Sequence, residues 1–311
     1  MSLFSIIFAL AIEQVKPLSG ARVDALLAAY GRQLEAWFNA GERHHGVAAW
    51  CVGVGVPTAI VLGLHVALAH FAPPLVLALS VGVLYLTVGF RQYSHFFTDI
   101  HLALRLGEID QARALLGEWR GVNSDRLSPG EVARLAIEQA LLHSHRHVFA
   151  PLFLFMLFGP AGAVLYRLSL ALSRLWGEVA DAGVAGTAAP KEFGQFARQA
   201  QAVVDWLPQR ATATAFAVVG DFEDAVYCWR TQSEVWPDAA TGILLASGAG
   251  ALGVRLGMPV QAGMDGDDRP ILGTGDDADV DFMQSTIGLV WRTLVLGILL
   301  LALFWVASWV G

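Results

Sequence analysis

The residues best suited to chemistry are three histidines and an arginine that directly precede an apolar run, in HSHRHVFAPLF at residues 143–153. On a helix, His143 and His147 share a face at i and i+4, a spacing that zinc sites use. Zinc needs a third and a fourth ligand. Three upstream residues could supply them: His95, Asp99 and His101. The alternative is a belt at the membrane interface, in which Arg146 and His147 reach lipid phosphates. We favour the belt and expect no bound metal.

A second polar group lies in GFRQYSHFFTDIH, residues 89–101, where Arg91, His95 and Asp99 follow one helical face. Such a face could bind an anionic headgroup or a phosphate. The same spacing also forms an i, i+4 network, which contributes only a few tenths of a kcal/mol per pair. We favour the network and keep anion binding as the alternative.

Three further charged residues fall in or beside apolar sequence, where a charge indicates function by default. Asp205 and Arg210 flank the proline of DWLPQR, which predicts a helix break in or near the bilayer, or else an interfacial anchor. Arg255 lies in the Gly- and Ala-rich stretch 240–259 and is a candidate for binding an anion. Small residues in that stretch permit close backbone approach.

Several other classes of site are excluded or disfavoured by the sequence. The formal charge of −7 gives a nucleic-acid partner no support. There is neither a phosphate-binding glycine loop with lysine nor a GxSxG nucleophile motif. The seven aspartates of residues 264–281 lack the ligand periodicity of an EF-hand, and we interpret them as a solvated acidic loop.

The elements that must position these residues are transmembrane helices. The chain is 55% hydrophobic and 15% charged, with a mean hydropathy of +0.53. Four runs contain no Asp, Glu, Lys or Arg: 46–69, 71–90, 148–166 and 293–311. Each approaches the roughly 20 residues that cross a bilayer as a helix. We predict an all-α, polytopic integral membrane protein whose partners are the lipid bilayer and either other membrane proteins or further copies of the chain.

Loop charge predicts the orientation, because Lys and Arg concentrate on the cytoplasmic side of a bacterial inner membrane. They flank the first hairpin and are absent from its turn, which places residues 1–45 and 91–147 in the cytoplasm. The predicted organisation is an amphipathic N-terminal segment at 1–45, a transmembrane hairpin at 46–90, a cytoplasmic helical region at 91–147, a membrane-associated core with broken or re-entrant helices at 148–260, an acidic loop at 261–288 and a C-terminal transmembrane helix at 289–311.

Local signals refine these elements. The motif SPGE, residues 128–131, predicts a helix start with a capping box. Pro151 disfavours helix at Ala150, and GPAG at 159–162 interrupts the third apolar run. That run is therefore either a broken, re-entrant helix or a true crossing with a return through 211–220. Residues 181–190 are predicted to be a loop.

Four segments together resemble the CobD/CbiB family, the adenosylcobinamide-phosphate synthases of cobalamin assembly. They are LGEIDQARALLGEWRGVNSDRLSPGEVARLAIEQALLHSHRHVFAPLFLFMLFGPAGAVLYR, VVDWLPQRATA at 203–213, GAGALGVRLGMP at 248–259 and RPILG at 269–273. The resemblance implies a ligase that uses ATP and Mg²⁺ to join adenosylcobyric acid to aminopropanol or its phosphate. The N-terminal MSLFSIIFALAIEQVKPL and the segment AFAVVGDFEDAVYCWR are similar to AmpE, a membrane protein of the same superfamily associated with β-lactamase induction.

The chain departs from the synthase pattern at two places. The family carries Glu-Asn-Thr-Ser-Asp-Gly shortly before its Ala-Pro-Leu-Phe, where this chain has LLHSHRHVF, and its Asn-Thr-Leu-Asp-Ser-Met run is here LSLALSRLW. Magnesium prefers hard oxygen ligands, which the substitution by His and Arg removes. We therefore expect an AmpE-like protein without synthase activity and without cofactors, with a sensing or scaffold role in envelope stress or cell-wall turnover. The alternatives are the cobalamin synthase with ATP and Mg²⁺, and a lipid- or small-anion-binding membrane protein.

Overall fold

The chain is almost entirely helical in a computed structural model that describes residues 2–16, 20–39, 42–121, 124–178, 192–259 and 269–310, which confirms the all-α prediction. The predicted loop at 181–190 lies outside the described residues. Fourteen α-helices are found in these ranges: α1 (Ser2–Val15), α2 (Gly20–Phe38), α3 (Arg43–Trp50), α4 (Val56–Phe71), α5 (Pro73–Thr87), α6 (Phe90–Leu106), α7 (Ile109–Arg120), α8 (Pro129–Ser144), α9 (Ala150–Phe158), α10 (Pro160–Glu178), α11 (Phe193–Val219), α12 (Phe222–Gln232), α13 (Ala239–Leu252) and α14 (Val280–Val310).

The helices form two compact units. The first unit comprises residues 1–92 and 147–208, and the second comprises residues 93–146 and 209–311. The second unit also contains a small sheet of three strands, β1 (Val254–Gly257), β2 (Ile271–Leu272) and β3 (Asp276–Asp277). The central strand β1 pairs antiparallel with β2 and parallel with β3. No pattern in the sequence predicted this sheet.

Three helical stretches of the described chain are long and apolar enough to cross a membrane, namely Arg43–Phe71, Pro129–Phe158 and Val280–Ala307. Only 17% of the most apolar window is buried inside the protein in the first and the third, against 61% in the second. Apolar side chains left on a protein surface at this density find favourable surroundings in lipid. The first and third are therefore suited to face the bilayer, and the second to lie largely within protein.

Two predictions about prolines were wrong. The helical stretch Pro129–Phe158 continues through Pro151, because a π-helical turn at His145–Phe149 precedes it. A widened turn accommodates a proline ring that would clash with the carbonyl four residues back in a regular helix. Likewise, α11 runs from Phe193 to Val219 without a break at Pro208. The break predicted at GPAG is confirmed, since Gly159 has φ = 63° and α10 begins at Pro160.

The C-terminal third also differs from the prediction. Helix α14 begins at Val280, inside the stretch that was predicted to be an acidic loop through residue 288. Arg255 lies on β1 rather than in a membrane helix, because the apolar helix α13 ends at Leu252. Gly253 closes that helix in the left-handed conformation, where glycine is favoured.

The core of the first unit joins α2, α3, α10 and α11 through buried apolar side chains, including Leu34, Leu172 and Trp176. The Trp176 indole donates a hydrogen bond to the Gly31 carbonyl at 3.2 Å. Gly46 of α3 touches the start of α11 so closely that a Cβ there would lie 2.1 Å from the Phe193 carbonyl oxygen. A side chain at residue 46 therefore cannot be accommodated without moving one of the two helices.

We expect Gly46→Ala to lower the free energy of unfolding by about 1–3 kcal/mol, the usual cost of overpacking. Gly63→Ala is the matched control, because Gly63 is also helical and has open space around its Cα. The control should be neutral or stabilising by up to about 1 kcal/mol. Thermal unfolding of the purified protein in detergent measures both, and equal midpoints for the two variants would contradict the close helix contact.

Candidate functional site

The first two histidines of the HSHRH motif are bonded within the second unit. Nε2 of His143 lies 2.8 Å from the Gln139 amide nitrogen, and its ring packs edge-on against Trp119. Nδ1 of the fully buried His145 lies 2.9 Å from the Thr212 hydroxyl. Both of these side chains are therefore anchored by protein groups, and the predicted interfacial belt of Arg146 and His147 stays a prediction.

The third histidine, His147, belongs to the first unit and contacts a buried arginine. Nη1 of Arg167 donates to Nδ1 of His147, and Nη2 donates to the Asp24 carboxylate at 2.8 Å. Because arginine only donates hydrogen bonds, the imidazole accepts this bond at Nδ1. This chain of contacts joins α10 to α2. Neither Arg167 nor Asp24 was predicted from the sequence to belong to a site.

The zinc hypothesis for His143 and His147 relied on the i, i+4 spacing of a regular helix. The π-helical turn at His145–Phe149 interrupts that spacing. Across the described ranges, one group of three or more residues has ligand atoms close enough for a metal, and it contains neither of these histidines.

The other predicted site residues are scattered. His95 and Asp99 lie exposed on α6, and the side chain of Arg91 is outside the described residues. Asp205 and Arg210 lie on α11, in the first and the second unit respectively. Arg255 forms an ion pair with Asp277 at 3.1 Å. Their roles in ligand binding stay predictions.

A stronger candidate is a cluster of buried charges in the second unit, which we name the Arg134–Glu138–Arg269 cluster. Helix α8 begins with the predicted capping box, in which Ser128 accepts from the Glu131 backbone N–H and the Glu131 carboxylate accepts from that of Ser128. This fixed start sets the direction of α8. Arg134 and Glu138 follow one turn apart, and both are buried.

The Glu138 carboxylate uses both of its oxygens. Oε1 accepts from the Gly257 backbone N–H at 2.9 Å, and Oε2 accepts from the Arg269 guanidinium. The side chains of Glu138 and Arg269 are 8% and 10% exposed, so water screens this pair little. The carboxylate thereby holds both ends of the segment that connects β1 to β2 against α8.

Arg134 and Arg269 have further contacts. The Arg134 guanidinium donates to the Met258 sulfur at 3.4 Å and to the Pro259 carbonyl at 3.5 Å. The Arg269 guanidinium lies over the Trp236 ring, 5.4 Å from its centroid, in cation–π geometry. Gly257 has φ = 73°, and a Cβ there would lie 2.0 Å from the Pro270 carbonyl oxygen. The close approach of β1 and β2 at this point thus requires glycine.

A cleft of about 280 Å³ opens beside this cluster. Its lining combines apolar walls with charged and polar groups: Arg120, Leu135, Glu138, Gln139, Leu142, Trp236, Pro237, Thr241, Leu245 and Arg269. Among these described lining residues, two arginines face a single carboxylate that is already bonded. The cleft is therefore suited to bind an anionic group, because arginine forms bidentate hydrogen bonds to carboxylate and phosphate.

The sequence contained one signal for this site. Arg134 and Glu138 stand at i and i+4 on a predicted helix, within a segment that carries the family resemblance, and RPILG begins with Arg269. The pairing of Glu138 with Arg269 spans 131 residues of sequence. It is a tertiary contact, which helical periodicity does not predict.

Comparisons with known proteins agree on one family. The family model described as CobD/Cbib protein matches residues 14–290. The cobalamin biosynthesis protein CobD of Stutzerimonas stutzeri is 32% identical over 282 residues, which cover 88% of this chain and 89% of the relative. CobD of Chromobacterium violaceum is 34% identical over 203 residues, covering 65% and 63%.

A more distant relative is the cobalamin biosynthesis protein CbiB of Salmonella typhimurium, 24% identical over 272 residues, which cover 83% of this chain and 81% of the relative. No solved structure matches the chain. The names of these relatives favour the cobalamin alternative over the AmpE-like sensing role.

The buried cluster yields a stability prediction. Glu138→Gln leaves Arg269 buried without its counter-charge, so we expect a loss of about 3–5 kcal/mol in the free energy of unfolding. The double variant with Arg269→Gln should recover part of that loss, because the two residues interact directly. Asp277→Asn is the control: it breaks the exposed pair with Arg255, which contributes about 1 kcal/mol at most. Equal midpoints for Glu138→Gln and Asp277→Asn in thermal unfolding would contradict the assignment.

His101 yields a pH prediction. Burial and the neighbouring Arg105 lower the pKa of His101, while Asp281 opposes them. Below about pH 6.5 the unfolded chain gains a proton that the folded imidazole resists, so stability falls as the pH falls. The fall levels off once the pH passes the lowered pKa of the folded state.

His101→Gln should flatten this segment of the stability curve relative to the unsubstituted chain. Thermal midpoints measured between about pH 7.5 and pH 5.5 test the difference, since His is the side chain that titrates in this range. An identical slope in the variant would show that other groups cause the pH dependence.

Proposed function

The chain belongs to the CobD/CbiB family, and from that premise we propose that it acts in cobalamin biosynthesis as an amide-forming synthase. The family resemblance implies that adenosylcobyric acid is joined to aminopropanol or its phosphate. The observation that carries the proposal is the cleft beside the Arg134–Glu138–Arg269 cluster, which is lined by both Arg120 and Arg269. Adenosylcobyric acid offers a carboxylate, and the phosphate ester of aminopropanol offers a phosphate.

In this proposal each of the named cleft residues has its own role. Arg120 and Arg269 bind the anionic group of a substrate by charge-assisted hydrogen bonds. Glu138 positions Arg269 and, through the Gly257 N–H, the start of the neighbouring segment. The ring of Trp236 lies under the Arg269 guanidinium in cation–π geometry. Proximity of two held reactants lowers the entropic part of the barrier.

The co-reactants that the resemblance implies, ATP and Mg²⁺, fit these residues unequally. Phosphate groups suit the arginines. Mg²⁺ requires several oxygen ligands, whereas Glu138 is the one carboxylate among the described lining residues and both of its oxygens are bonded. The described cleft thus does not fit Mg²⁺, and we assign no step to the metal.

The family and the three long apolar helices indicate a membrane protein. We further propose that it is a multi-pass protein of the bacterial inner membrane with residues 91–147 in the cytoplasm. The distribution of Lys and Arg supports this orientation. It would present the cleft-forming helices α7 and α8 to the compartment that contains nucleotides and corrinoids.

A second candidate is a family member that has lost synthase activity and serves a sensing or scaffold role. The observation that favours it is the HSHRH motif, which replaces the acidic motif of the synthases. The three histidines form hydrogen bonds with Gln139, Thr212 and Arg167 respectively. None of these partners is a carboxylate, so the contacts do not replace the oxygen ligands of the acidic motif.

Complementation separates the two candidates. In a strain that lacks the synthase and is supplied with cobyric acid, we expect the full chain to restore cobalamin-dependent growth. Arg120→Gln should reduce cobalamin formation on the order of tenfold or more, the effect of losing a hydrogen bond to a charged group. Arg230→Gln is the control, because Arg230 is exposed elsewhere in the same unit.

The amount of each variant in the membrane is measured in parallel, so that loss of protein is distinguished from loss of activity. Failure of the unsubstituted chain to restore growth, although it is present in the membrane, would contradict synthase activity and favour the second candidate.

A further inference from the structure

We propose that Glu42, His44 and His45 form a binding site for one divalent transition-metal ion of the zinc class. The site lies in the first unit and is independent of the proposed function. One ligand atom from each of the three residues lies within 4.8 Å of the other two. Within the described parts of the chain, this is the group of His, Cys, Asp and Glu residues whose geometry suits a metal.

The start of helix α3 produces this arrangement. Glu42 is the N-cap residue, with an extended backbone at φ = −114° and ψ = 154°, and its side chain accepts no capping hydrogen bond. The carboxylate instead lies 3.0 Å from Nδ1 of His44. The rings of His44 and His45 follow with centroids 3.9 Å apart. A carboxylate and two imidazoles are thereby gathered within a single turn.

The turn itself is fixed by packing. The missing side chain of Gly46 lets the first turn of α3 lie against the Phe193 carbonyl at the start of α11. The backbone N–H of His45 donates to the Glu42 carbonyl at 3.1 Å. A metal site needs ligands held near their final geometry before the ion arrives, and these contacts supply part of that order.

A second observation also points to a ligand. Nδ1 of His45 is buried and has no hydrogen-bond partner among the described residues. A buried polar nitrogen without a partner is unfavourable. Coordination of this ring by an ion would remove that cost.

The surroundings favour a cation. Glu42 and His44 line an open cleft of about 590 Å³ that also contains Glu192. Two carboxylates therefore face one guanidinium, that of Arg43, which donates to Gln199 at 3.0 Å. With neutral histidines the net charge is negative. Glu192 or water can complete the coordination.

The donor set decides the class of metal. Two imidazole nitrogens and a carboxylate oxygen suit zinc, copper, nickel or cobalt. Magnesium and calcium prefer oxygen ligands alone. We therefore use Zn²⁺ as the probe and Mg²⁺ as the discriminating control.

The test is a calorimetric titration of Zn²⁺ into the full chain, purified in detergent and first stripped with a chelator. We expect one saturable site per chain. His44→Ala and Glu42→Gln should each weaken binding on the order of 10–100-fold or more, the loss that removal of even an outer-shell partner produces. Both residues are largely exposed, so their substitution should not unfold the chain.

His70→Ala is the matched control, because His70 is an exposed histidine of the same unit outside the cluster, and we expect it to bind like the unsubstituted chain. The proposal is overturned if no saturable site is found, if His44→Ala and Glu42→Gln bind as tightly as the His70→Ala control, or if Mg²⁺ binds with equal affinity.

Discussion

The proposed site depends on the hydrogen bonds that the Glu138 carboxylate accepts. It is buried on α8, and it joins the Gly257 backbone to the Arg269 side chain. Removing this ion pair from water costs free energy, and this cost is offset only when every carboxylate oxygen has a hydrogen-bond partner. Both oxygens do. The resulting cluster fixes Arg269 beside an apolar cleft, where a guanidinium binds an anion more strongly than in bulk water. Burial, charge and backbone geometry thus support the proposed binding of an anionic substrate.

Close packing of the surrounding helices holds this cluster in place. Helix α13 is packed through glycines: a Cβ on Gly248 would lie 2.7 Å from Leu141 of α8, and one on Gly250 would lie 2.5 Å from the Asp224 carbonyl of α12. Ser247, also on α13, donates to the Ala213 carbonyl of α11 at 2.8 Å. Close backbone approach excludes water and leaves little freedom to the side chains between the helices. The rigid packing of these helices therefore keeps the buried charges in register.

Periodicity and composition predicted the helical architecture, the capping box at Ser128 and the break at GPAG, because each is a local property of the chain. They did not predict the partners of Glu138, which come from residues 257 and 269. The HSHRH motif suggested either a zinc site or an interfacial belt, whereas its imidazoles lie around a π-helical turn with hydrogen-bond partners at Gln139, Thr212 and Arg167. Pro208 is a second example. A local rule predicted a helix break there, whereas the long helix α11 continues through this proline.

We propose above all that the cleft binds the anionic part of a cobalamin precursor. Calorimetric titration of the purified chain with aminopropanol phosphate, compared with aminopropanol itself, tests it most directly. We expect saturable binding of the phosphate ester, about tenfold or more tighter than that of aminopropanol, because the arginines form hydrogen bonds to the phosphate charge. Equal affinity for the two compounds, or no binding of either by folded protein, would contradict it.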